Sequence, residues 1–174
     1  QSYISSGHRR ENSAEHSWHL AMAVIALRRF APSRTNHPRA IAMALVHDVP
    51  ELLVGDTILY DTKARLAKAR RESAAARTLF GRLRSREGRE MLALWREYEA
   101  AETPTAKYVR ALDRILPMMA NAAHRGRVWK RHHITARRVR EINMPVLRVV
   151  PGLAEFADRL LSGAERKGYF TKLR

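Results

Sequence analysis

Apolar residues in this chain recur at helical spacing almost from end to end, and no segment alternates strictly as a half-buried strand would. That period confines the chain to an all-α fold, because a strand must repeat every second residue to present one face to a core. Prolines and glycines stand singly, without the clusters that separate domains. Ser13 is placed to cap a first helix reaching Phe30, with Trp18, Ala21, Met22 and Ile25 on one face. "APSRTNHP" reads as a loop, and Pro38 opens a second helix from the first-turn position. Val49 precedes Pro50 and is pushed out of helical space, which ends that helix at His47 and Asp48. Glu51 to Val54 form a short turn of helix before Gly55-Asp56. A basic, Ala-rich helix covers 62–84 and breaks near Gly88, and another runs through "REMLALWREYEAA". Thr103-Pro104 starts a helix through "PTAKYVRALDRILPMMANAAH", with a kink expected at Pro117. A basic helix near 135–143, a loop from Pro145 to Pro151 and a terminal helix ending near Gly168 complete one compact helical bundle. With 174 residues there is a core's worth of chain for a single domain over 1–174, and too little for two.

Several function classes drop out on composition. No run approaches the roughly 18 apolar residues of a membrane span. No basic-then-apolar leader opens the sequence, although Gln1 in place of Met leaves room for residues upstream. The absence of cysteine removes disulfides and thiolate metal sites, and it fits a cytoplasmic protein. The net charge of +16 has two readings: a polyanion-binding surface, or a drift toward Arg at solvated positions in a high-GC genome. The second is preferred, since the basic residues spread over several amphipathic helices with few aromatics between them for stacking bases. Specific nucleic-acid binding is therefore not expected, while anionic substrates are attracted.

Ligand-competent side chains sit where apolar ones belong. His16 lies in the first turn of the first helix, within "ENSAEHSWHLA". His47 and Asp48 end the second. Asp113 stands inside "VRALDRILP", flanked by Val109, Leu112, Ile115 and Leu116. A carboxylate on an apolar helix face is costly unless it is compensated. Arg110 or Arg114 could do so, and so could a divalent metal. Two imidazoles and two carboxylates form a four-ligand set for one divalent transition ion (Co, Mn, Fe, Ni or Zn), with positions left for water and substrate. Consecutive helical residues point about 100° apart, so His47 and Asp48 reach one ion only beyond the helix terminus, where Pro50 turns the chain.

"ENSAEHSWHLA", "MALVHDVPELLVGDT" and "ALDRILPMMAN" together resemble the HD-domain metal-dependent phosphohydrolases, in their 5′-deoxynucleotidase-like branch. That resemblance implies an all-α HD-type fold with His16, His47, Asp48 and Asp113 as metal ligands. It implies Glu51 as the catalytic carboxylate and Asp56 as a contact to the substrate's sugar, the alternative for Asp56 being a helix cap. Arg9 and Arg10, just upstream, either neutralise the phosphate or are solvated. Members of the branch carry an Arg-Trp pair ahead of the first motif. Here that stretch reads "QSYISSGH", so the sugar preference is open. No histidine lies between His47 and Asp113, which implies one ion rather than two. The surplus histidines His124, His132 and His133 are flanked by Arg and Lys that repel a cation.

The expected activity is removal of phosphate from a nucleoside 5′-monophosphate by a homodimer, with exposed apolar parts of the C-terminal helices as the dimer contact. Two rivals are an HD enzyme for another phosphorylated metabolite or biosynthetic nucleotide, and a non-enzymatic basic helical module for nucleic acid.

Overall fold

The computed structural model describes residues 9, 11–54 and 62–171. It contains α1 (Ser13–Ala26), a 3-10 turn (Arg28–Phe30), α2 (His37–Val46), α3 (Glu51–Val54), α4 (Thr62–Arg82) and α5 (Arg86–Ala100). These are followed by α6 (Pro104–Ala123), α7 (Arg127–Arg131), α8 (Ala136–Leu147) and α9 (Pro151–Arg166). Among the described residues there is no strand, as the sequence period requires. Helix α6 is the central element: it packs on α1, α2, α5, α8 and α9 and buries Tyr108, Val109, Leu112 and Ile115 completely.

Short polar side chains start the helices. Asn36, Ser85, Thr103 and Thr135 each accept a hydrogen bond from a first-turn backbone N–H, with prolines in the first turns of α2 and α6. The cap of α1 is Asn12 rather than Ser13. Its side chain accepts from the Glu15 N–H at 2.9 Å, and the Glu15 carboxylate accepts from the Asn12 N–H at 3.0 Å. This reciprocal pair sets where α1 begins, and hence which way His16 faces. Asn12→Ala is expected to cost about 1 kcal/mol, lowering the thermal midpoint by about 2–4 °C for a chain of this size, as read from circular dichroism on heating.

Four further departures from the sequence reading have physical causes. Trp18, Met22 and Ile25 do share a face of α1, but that face is outward, 64%, 43% and 54% exposed. The helix is apolar nearly all round, and the stripe through His16, Leu20, Ala23 and Val24 goes inward. Gly88 does not break a helix. The break falls just before Ser85, and Gly88 lies in the first turn of α5, where an added Cβ would come within 2.4 Å of the Phe80 carbonyl oxygen. Pro145 is inside α8, which continues to Leu147 because that side chain is fully buried. Within "HRGRVWKRHH", α7 forms around buried Trp129, which stacks on Phe170. Helix α6 itself runs on through Pro117 to Ala123; the proline has no N–H to offer the Asp113 carbonyl.

Candidate metal centre

Three helices deliver the site. The capped first turn of α1 presents His16, 8% exposed. Helix α2 ends at Val46, and His47 is its C-cap, with its N–H still bonded to the Met43 carbonyl at 3.0 Å. Beyond it the chain tightens. The amides of Val49, Glu51, Leu52 and Leu53 each bond three residues back, at 3.0–3.2 Å. This narrower winding carries Asp48 round to the side that His47 faces. Asp113 enters from the middle of α6.

The four side chains meet. His16 Nε2 lies 2.9 Å from Asp113 Oδ1 and 4.0 Å from Asp48 Oδ2. His47 Nε2 lies 3.1 Å from Asp48 Oδ1 and 3.9 Å from Asp113 Oδ1. One ligand atom from each of His16, His47 and Asp48 falls within 4.8 Å of the others.

Proton positions show what this cage can hold. His47 Nδ1 is 2.8 Å from the Ala44 carbonyl oxygen. A carbonyl only accepts, so Nδ1 is assigned the proton and donates. Burial holds the imidazole below its usual range and keeps it neutral, against the pull of surrounding charges that include Glu51. Nε2 therefore carries a lone pair, and it is buried with no hydrogen-bond partner. The atoms it faces are carboxylate oxygens, which are acceptors too. Acceptors pointed at one another in a buried site repel unless a cation lies among them, and a divalent ion fits that donor set.

Burial works against a charged His16. Hydrogen bonds to Asp113 and Glu11 and the charges of Asp113 and Asp48 outweigh it and push the imidazole up to about 11, so the carboxylates hold on His16 Nε2 a proton whose place a bound divalent ion would take. Its Nδ1 faces Glu11 Oε1 at 3.4 Å, the carboxylate–imidazole pairing that orients the other nitrogen toward a metal. Burial likewise opposes ionisation of Asp113, but the His16 hydrogen bond and nearby positive charge hold it well below the ordinary carboxylate range.

The remaining expected site residues are placed less uniformly. Glu51 heads α3, half-buried, three residues after Asp48. Arg9 clasps Glu15 with both terminal nitrogens on the outside of α1, Nη1 donating at 2.7 Å. Arg10 and Asp56 lie outside the described residues. Arg110 does not pair with Asp113; it donates to the carbonyls of Tyr98 and Glu99. Two contributors escaped the sequence reading, Glu11 and Tyr98. The Tyr98 hydroxyl donates to Asp113 Oδ2 at 2.9 Å, and burial together with the charges of Asp113 and Asp48 keeps it protonated. A tyrosine three residues from Trp95 on a helix that must bury one stripe was the available signal, because a buried hydroxyl needs a partner.

The HD-domain family profile matches residues 1–151. Human 5′-deoxynucleotidase HDDC2 is 32% identical over 105 residues, which is 60% of this chain and 50% of that protein. Its counterpart from Xenopus laevis is 38% identical over 104 residues, 59% of this chain and 50% of that one. The chain thus spans about half the length of the curated relatives it matches. A crystal structure of a predicted metal-dependent phosphohydrolase from Magnetospirillum magnetotacticum MS-1 superposes with a TM-score of 0.90 at 37% identity, covering 97% of this chain and 87% of that one.

Proposed function

The chain belongs to the HD-domain family, and we propose that it is a metal-dependent phosphomonoesterase that removes phosphate from nucleoside 5′-monophosphates, deoxynucleotides foremost. The observation that carries this reading is the convergence of His16, His47, Asp48 and Asp113 around the buried, unpartnered Nε2 of His47. The names of the relatives from human and Xenopus laevis support the substrate class. The four side chains hold one divalent transition ion, and 1–174 acts as one HD domain.

What a divalent ion supplies when bound is Lewis acidity toward a phosphoryl oxygen and a more acidic water. The chain's residues do the rest. Glu51, which heads α3 three residues after Asp48, orients the attacking water and carries its proton to the leaving oxygen. The water oxygen bonds to phosphorus, the bond from phosphorus to the sugar's 5′ oxygen breaks, and that oxygen leaves protonated. The products are a nucleoside and inorganic phosphate. Asp56 and Arg10 are the proposed contacts to sugar and phosphate, and Arg9 joins them by exchanging Glu15 for the phosphate.

No helix among the described residues is long and apolar enough to cross a membrane, and the reading places the enzyme in the cytoplasm. It works as a homodimer, tested by light scattering in solution. The net charge of +16 draws anionic substrates in. The deciding experiment is a panel of ribo- and deoxyribonucleoside 5′-monophosphates assayed for phosphate release with Co, Mn, Fe, Ni and Zn in turn. Release from the deoxynucleotides that requires the ion supports the reading. Absence of release from every nucleotide with every ion overturns it.

A further inference from the structure

The division of labour between the two oxygens of Asp113 points beyond the four ligands to α5, which contributes none of them. Oδ1 lies 2.9 Å from His16 Nε2 and 3.9 Å from His47 Nε2, inside the cage. Oδ2 is taken by the Tyr98 hydroxyl at 2.9 Å. We propose that Tyr98 is a positioning residue that makes Asp113 a one-oxygen ligand, by occupying Oδ2 so that only Oδ1 is presented to the ion. This rests on the metal-centre reading above.

A carboxylate is free to rotate about its last bond and can offer a metal one oxygen or two. A single donor fixed outside the cage removes that choice. Tyr98 is well placed to be that donor. It is 7% exposed, and its ring tilts against the His47 ring with centroids 5.0 Å apart. From α6, the Arg110 guanidinium lies 5.4 Å over the Tyr98 ring and donates to the Tyr98 and Glu99 carbonyls at 3.3 and 2.9 Å. Arg110 is one helical turn from Asp113, so the backbone carrying the donor and the backbone carrying its acceptor are tied together. The hydroxyl and the carboxylate keep their register without either being a ligand to the other's partners. Outer groups of this kind fix ligand orientation, and their loss typically costs about 10- to 100-fold in metal affinity.

Tyr98→Phe tests this cleanly, since it keeps the ring against His47 and removes only the oxygen. Chelator-stripped wild type and Tyr98→Phe are each titrated with Co2+ by calorimetry, and the visible absorption of each is recorded at saturating Co2+. The expected result is a loss of about 10- to 100-fold in Co2+ affinity and an altered Co2+ spectrum, as Asp113 brings its second oxygen to the ion. If the variant unfolds at a lower temperature without metal, the spectrum at saturation decides, because it reads coordination only in the folded, loaded protein. An unchanged spectrum overturns the proposal, whatever happens to affinity. Failure of the wild type itself to bind Co2+ overturns the metal-centre reading and this proposal with it, and is thereby distinguishable from failure of Tyr98 alone.

Discussion

Asp48→Ala is expected to abolish ion binding and phosphate release together. Asp48, like Asp113, faces both imidazoles, with Oδ1 3.1 Å from His47 and Oδ2 4.0 Å from His16. Truncating it leaves one carboxylate, on α6, to offset the charge of a divalent ion, and it opens the side of the cage nearest the turn. Elemental analysis of the purified variant should find no stoichiometric transition metal, and no nucleotide should release phosphate above the uncatalysed rate. Thermal unfolding gives a second readout. An ion that binds only the folded chain stabilises it by about 2.7 kcal/mol at 100 times its dissociation constant. Wild type should therefore melt higher when metal is added, and Asp48→Ala should not. A variant that keeps a full equivalent of metal would remove Asp48 from the ligand set.

Loss of Glu51 should look different. In the proposed mechanism its carboxylate serves the proton and not the ion, so Glu51→Ala should retain metal and bind nucleotide while turnover falls about 100- to 10,000-fold, the usual span of general acid–base help. Metal content, nucleotide binding by calorimetry and phosphate release measured on one preparation separate the two roles. Near-normal turnover with the metal still in place would assign the proton to another carboxylate. Glu51 heads a helix of only four residues directly after the turn that delivers Asp48, so Glu51→Gln is the companion variant. It preserves the shape of that turn and should lose activity to a similar degree.

Much of this molecule is legible in one dimension. The 3.6-residue period decides that the chain is helical, and Pro38 and Pro104 announce two helix starts that the structure keeps. The placement of His47 and Asp48 at a helix terminus follows from Pro50. The meeting of His16 with the doublet and Asp113 could be expected from their order and flanks. What the sequence leaves open are choices between locally equivalent alternatives. Helix α1 is apolar on two faces, and only packing against α2 and α6 selects the one that buries His16 and exposes Trp18. Gly88 looks like a breaker until the Phe80 carbonyl is seen against it. Pro145 looks like a loop until buried Leu147 holds the last turn of α8 together. Tyr98 looks like core until its hydroxyl is found on Asp113, 15 residues along the chain. Periodicity records what each helix is able to bury, and it is set by neighbours within a turn or two. Which stripe is buried, and which polar atom finds which partner, depends on elements far apart in sequence, and only tertiary packing decides it.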